Sequence, residues 1–154
     1  MTIPTRYAHT NIIARDWKRL AQFYQRVFGC VVVQPRRNLW GRWLEEATGV
    51  PKAHIRGVHL LLPGYGKEGP TLEIFQYDEV LKRPETVANS QGFSHLAFAV
   101  EDVAAAQERV QKAGGGNVGK RVTRVVRGVG TLTFAYIRDP EGNIIELQRW
   151  STVK

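Results

Sequence analysis

Residues 7–29 read YAHTNIIARDWKRLAQFYQRVFG, and residues 93–114 read FSHLAFAVEDVAAAQERVQKAG. Each opens on a run with strand-like alternation, Tyr7 to Ala14 and Phe93 to Val100, and each places a histidine third in that run, His9 and His95. An aspartate then caps a helix: Asp16 ahead of Leu20, Phe23, Tyr24, Val27 and Phe28, and Asp102 ahead of Val103, Ala106, Val110 and Ala113. Glycine closes both helices, at Gly29 and at Gly114 to Gly116. One strand–cap–helix unit is therefore written twice.

Strand-like runs separated by Gly and Pro follow each helix: Cys30 to Gln34, Ile55 to Leu62 and Thr71 to Tyr77, then Val118 to Arg127, Thr131 to Arg138 and Asn143 to Arg149. The turn Asp139-Pro140-Glu141-Gly142 joins the last two. The pattern predicts an α+β fold of two tandem βαβββ modules forming a curved mixed sheet around a metal site. Module one spans 5–80 and module two 90–151 of a single domain, 1–154. Glu73 and Glu146 lie in the two closing strands, inside the similar strings LEIF and IELQ. His9 and Glu73 are 64 residues apart and His95 and Glu146 are 51 apart; the difference of 13 is assigned to an insertion at 37–52, where LWGRWLEEATG reads as a short helix.

Alternation along a strand puts His9 on one face with Tyr7 and Asn11, and Glu73 with Thr71, Phe75 and Tyr77. In the second module His95 shares a face with Phe93 and Ala97, and Glu146 with Ile144 and Gln148, leaving Leu96, Phe98, Ile145 and Leu147 for the core. A lone histidine is ordinarily a hydrogen-bonded core residue and a lone strand glutamate a surface charge. Packing gives no reason to place both at matched positions of a repeat. Two imidazoles and two carboxylates suit one divalent ion such as Ni, Co, Mn, Fe or Zn, with coordination positions left for a substrate carrying oxygens on neighbouring carbons.

The 154 residues are 43% hydrophobic and 23% charged, which is the composition of a folded globular chain. The net charge of +8 points to an anionic partner. Its basic residues are scattered and no nucleic-acid-binding motif accompanies them, so a small anionic molecule is expected and nucleic acid is not. The start, Met1-Thr2-Ile3-Pro4-Thr5-Arg6, carries no signal-like apolar segment, and no run is long enough to span a membrane; a cytoplasmic location is expected. The lone Cys30 reads as a small buried hydrophobe.

The strings HTNIIARDWKRLAQFYQRVFG, GFSHLAFAVEDV and RDPEGNIIELQ resemble the vicinal-oxygen-chelate superfamily, which includes glyoxalase I, methylmalonyl-CoA epimerase, extradiol dioxygenases and the fosfomycin- and bleomycin-resistance proteins. The resemblance covers nearly the whole chain. It implies metal ligands at His9, Glu73, His95 and Glu146, and a full quartet is the pattern of the glyoxalase I and epimerase branch. In glyoxalase I an Arg four residues after the first ligand and an Asn four after the second hold glutathione; Ile13 and Tyr77 stand there in this chain. Methylmalonyl-CoA epimerase has Gln in place of Glu73. The run TGVPKAHIRGVHLLLPG followed by LEIFQY looks like cyclitol (valiolone-type) epimerases.

The resemblance implies an isomerase, epimerase or glyoxalase-like lyase in which Glu73 or Glu146 moves a proton next to a metal-bound carbonyl. His59, Tyr77 and Tyr136 are further acid, base or orienting candidates. Arg56, Arg121 and Arg124 are candidates for holding an anionic group, and Asn11 and Phe75 share the ligand face. An Fe(II)-dependent extradiol-type dioxygenase, needing only two His and one Glu, and a non-catalytic drug-binding protein are the alternatives. Trp40, Trp43 and Leu44 make the insertion a lid, a dimer contact or a cover for the edge of the core, and the family implies a homodimer.

Overall fold

A computed structural model describes residues 2–151; Met1 and residues 152–154 lie outside the described residues. The chain forms two compact units, residues 1–82 and 83–154, and each holds one βαβββ module. The first contains β1 (His9–Ile13), α1 (Trp17–Phe28), β2 (Val31–Trp40), α2 (Arg42–Thr48), β3 (His54–Leu61) and β4 (Thr71–Tyr77). The second contains β5 (His95–Ala99), α3 (Val103–Lys112), β6 (Gly116–Asn117), β7 (Val122–Val126), β8 (Gly130–Arg138) and β9 (Ile144–Ser151). Among the described residues no helix is long and apolar enough to cross a membrane.

Each module builds its own mixed sheet, ordered β1-β4-β3-β2 in the first and β5-β9-β8-β6 in the second, with β7 also paired to β8. The opening strand runs parallel to the closing strand, which requires the helix between them as a crossover. Asp16 starts α1 by accepting from the backbone N–H groups of Lys18 and Arg19, and Asp102 starts α3 by accepting from Ala104 and Ala105. Those two backbone donors hold the Asp102 carboxyl below its ordinary range. Gly29 ends α1 in the left-handed conformation at φ 72°.

Each helix covers one face of its sheet. In module one Leu20 and Tyr24 of α1 are fully buried, as are Val58, Leu60, Leu72 and Ile74 on the strands beneath. In module two Val103 and Val110 of α3 lie over Ala135, Ile137, Ile145 and Leu147. Burying each such aliphatic side chain contributes about 1.5–3 kcal/mol. Cys30 is 4% exposed, as a buried hydrophobe should be, and burial pushes its thiol up to about 11.

The structure corrects three details of the strand assignment. β2 does not stop at Gln34 but continues to Trp40, because Pro35 falls in an irregularity of the ladder between Val33 and Arg37, where no backbone N–H is needed. The run expected as one strand from Val118 is split into β6 and β7 by an irregularity at the matching place. From Val33 to Arg37 the chain advances four residues while β3 advances two, from His59 to Gly57; from Asn117 to Val122 it advances five while β8 advances three. Both modules thus carry the same two-residue excess. Nor do the 13 extra residues of module one sit in one place. Glu73 follows its ladder partner His59 by fourteen residues and Glu146 follows Tyr136 by ten, so four lie in the β3–β4 connection and nine precede His59.

Gly57 is the tightest point of the first sheet. A Cβ there would meet the Ile74 carbonyl oxygen at 2.2 Å and Phe75 Cδ1 at 2.6 Å, both across the ladder. Replacing Gly57→Ala should lower the free energy of unfolding by about 1–3 kcal/mol through this overpacking, read as a shift in urea midpoint at unchanged slope. A variant as stable as the parent would show that the β3–β4 ladder has room to give.

Candidate metal and substrate site

Glu73 occupies a central strand, with Asn11 beside it on β1 and His59 beside it on β3. His9 stands two residues ahead of Asn11 on the same face. Glu73 is 8% exposed and each carboxylate oxygen has its own imidazole: His59 Nε2 lies 3.1 Å from Oε1 and His9 Nε2 3.4 Å from Oε2. Asn11 Nδ2 donates to Oε2 at 3.3 Å. The second module repeats the register. Glu146 has Ala97 beside it on β5 and Tyr136 beside it on β8, and His95 stands two residues ahead of Ala97. His95 Nε2 lies 3.1 Å from Glu146 Oε2, and its ring is 5.0 Å from that of Tyr136.

Burial and charge tune the neighbours of these carboxylates. Burial lowers the pKa of His59, the charge of Glu73 works against that, and Arg37 and His9 add to the lowering. Burial raises the Tyr136 phenol, and the charge of Glu146 raises it further. Both groups are thereby held neutral more firmly than in water. Among the described residues no group of three or more His, Cys, Asp or Glu is arranged to hold a metal ion. The units carry one matched His–Glu pair each.

The other candidates are distributed unevenly. Phe75 has its ring 5.6 Å from that of His59, and with Tyr77 and Leu39 it packs against Leu44, Ala53 and Ile55. α2 is therefore a wall over the far end of the Glu73 face, seated by Leu44 at 5% exposure, while Trp40 and Trp43 remain exposed. Arg124 is exposed on the Glu146 face, in register with Leu132, which pairs with Trp150. Arg56 is a correction: it lies on the opposite face from Glu73 and pairs with Asp78, which also binds His54 Nδ1 at 2.9 Å. Arg121 donates to Gln107 of α3 at 3.3 Å. Sequence reasoning passed over Arg37, which lies on the Glu73 face and which the ladder irregularity sets opposite Gly57. Its signal, Pro35 within a run of strand formers, reads from sequence as a strand end. A cleft of about 490 Å³ beside α2, lined by Trp40, Glu45, Lys52 and His54 among others, contains neither His–Glu pair.

The model of the Glyoxalase/Bleomycin resistance protein/Dioxygenase superfamily matches residues 6–147. The chain belongs to this superfamily. A probable lactoylglutathione lyase of Vibrio parahaemolyticus is 28% identical over 142 residues, covering 92% of this chain and 88% of the relative. The lactoylglutathione lyase of Escherichia coli O157:H7 is also 28% identical, over 92% of this chain and 90% of its own. A glyoxalase family protein from Bacillus cereus shares the fold with a TM-score of 0.73 at 20% identity, covering 97% of this chain and 95% of that one. The paired βαβββ modules are thus the architecture of the superfamily.

If α2 is the wall of the Glu73 face, Leu44→Ala should cost about 2–3 kcal/mol. It should also expose residues 41–53 to limited proteolysis before the rest of module one. Unchanged stability and unchanged cleavage would mean that α2 is not held by this contact.

Proposed function

We propose that this superfamily member is a metal-dependent lyase or isomerase that moves a proton on a small substrate with oxygens on neighbouring carbons. His9 and Glu73 of module one and His95 and Glu146 of module two supply the ligands, brought together within one chain or across two copies. The observation that carries the reading is the identical register of the two pairs: in each module the histidine stands two residues ahead of the partner of its glutamate, with Nε2 within 3.1–3.4 Å of a carboxylate oxygen. Two borderline nitrogen donors and two hard oxygen donors fit a first-row divalent ion and leave open positions. When bound, such an ion would lower the free energy of an enediolate.

The residues divide the remaining work. Glu73 and Glu146 are the proton carriers, each taking the proton alpha to the carbonyl or returning it to the same or the neighbouring carbon. Neighbouring groups decide how each carboxylate sits. Glu73 is held through both oxygens by His59, His9 and Asn11, whereas among the described residues Glu146 has His95 alone as an ionic partner and is the freer of the two to swing. Tyr136, kept neutral beside it, can donate to a substrate oxygen. The lactoylglutathione lyase relatives suggest a hemithioacetal as one substrate class. Ile13 and Tyr77, standing where the resemblance expects the glutathione-holding Arg and Asn, favour a substrate without that tripeptide.

Elemental analysis after incubation with Ni(II), Co(II), Mn(II), Fe(II) and Zn(II) should find one tightly held divalent ion. With that metal, a screen of alpha-hydroxy ketones, acyl-CoA thioesters and hemithioacetals in D2O should reveal exchange of the alpha proton. Glu146→Gln should slow that exchange by about 10²–10⁴-fold while the protein still folds. A protein that takes up no divalent ion, or a Glu146→Gln variant with undiminished exchange, would contradict the reading.

A further inference from the structure

Consecutive arginines on β2 part company. Arg36 sits with its guanidinium 5.9 Å from the centre of the Trp17 ring, against α1. Arg37 falls on the other face, opposite Gly57, which lies two residues along β3 from His59. It is only partly exposed. Its guanidinium donates to the carbonyl oxygen of Pro35, within the ladder irregularity, and that hydrogen bond ties the side chain to its own loop. Two other strand arginines meet acids: Arg56 meets Asp78, and Arg138 meets Glu85 at 3.2 Å. No acid of the described residues pairs with Arg37.

Gly57 presents no side chain, and the Phe75 ring, 5.6 Å from that of His59, covers it, so Arg37 of β2 borders an aromatic surface on the Glu73 face with no side chain of β3 standing between them. Two residues of strand are about 7 Å, so a ligand whose chelating oxygens lay near Glu73 could reach Arg37 with a group a few bonds away. A planar guanidinium recognises carboxylate or phosphate through paired hydrogen bonds. At the matching position of module two stands Val122, opposite Phe134, so the feature belongs to one half of the repeat and not to the fold.

We propose that Arg37 is the specificity-determining residue that binds an anionic group, a carboxylate or phosphate, carried by the substrate beside its metal-chelating oxygens. This rests on the metal-dependent reading above. Its partners would be the Arg37 fork for the anion and the face of Phe75 for the carbon chain that joins anion to chelating oxygens. Arg37 orients substrate and does not move the proton.

Two hydroxamates test it by calorimetry on the metal-loaded full chain: acetohydroxamate, which chelates and carries no further charge, and N-hydroxysuccinamate, which adds a carboxylate. The parent should prefer the second by about tenfold or more, the effect of one charge-assisted pair. In Arg37→Gln the two should bind equally, with acetohydroxamate unchanged from the parent. Arg124→Gln should keep the preference. A preference that survives Arg37→Gln, that is absent in the parent, or that disappears with Arg124→Gln instead would overturn the assignment to Arg37. If acetohydroxamate itself does not bind the metal-loaded parent, the metal-chelation reading fails and the assignment falls with it; binding of acetohydroxamate without any preference sinks the assignment alone.

Discussion

A carboxylate set into the middle of a sheet at 8% exposure must have partners, because an ionised group left unpaired there would cost several kcal/mol. For Glu73 the partners come from both neighbouring strands, with the imidazoles of His9 and His59 and the amide of Asn11 spread over its two oxygens. That requirement constrains the whole module. β4 has to lie between β1 and β3, β1 has to run parallel to it, and α1 has to carry the chain across; the apolar face beneath, with Leu72 and Ile74, then has to be sealed by Leu20 and Tyr24. The second module meets the same constraint around Glu146 with fewer polar partners.

The difference between the modules is as informative as their likeness. Where Glu73 faces His59 across the ladder, Glu146 faces Tyr136, and where Arg37 stands in the first module, Val122 stands in the second. The connection before β3 has lengthened into α2, whose Leu44 closes the end of the Glu73 face against Phe75 and Tyr77. Module one carries the additional polar groups and a wall, and module two has a shorter, more exposed edge at β7.

Much of this was legible in the residues. The two aspartate caps, the closing glycines and the alternation around His9 and His95 were enough to predict the repeat, since each is a local signal with a local cause. The membership in the superfamily, expected from three strings of sequence, is shown by the match over residues 6–147. What local reading lost depends on pairing. Pro35 looks like a strand end until β3 is seen to skip past it, and Arg56 looks like a site residue until its register puts it with Asp78. The partner of Arg37, Gly57, could be found only by counting across the irregularity. His59 was named as a candidate, but its hold on Glu73 Oε1 is a contact between strands fourteen residues apart in sequence.

The central claim is that the matched His–Glu pairs of the two modules meet on one ion. X-ray absorption of the zinc-loaded protein measures this most directly. Two imidazole shells with oxygen donors at about 2.0–2.2 Å are expected, with one imidazole lost in His9→Ala and the other in His95→Ala. A first shell without imidazole, or one that neither substitution alters, would contradict it.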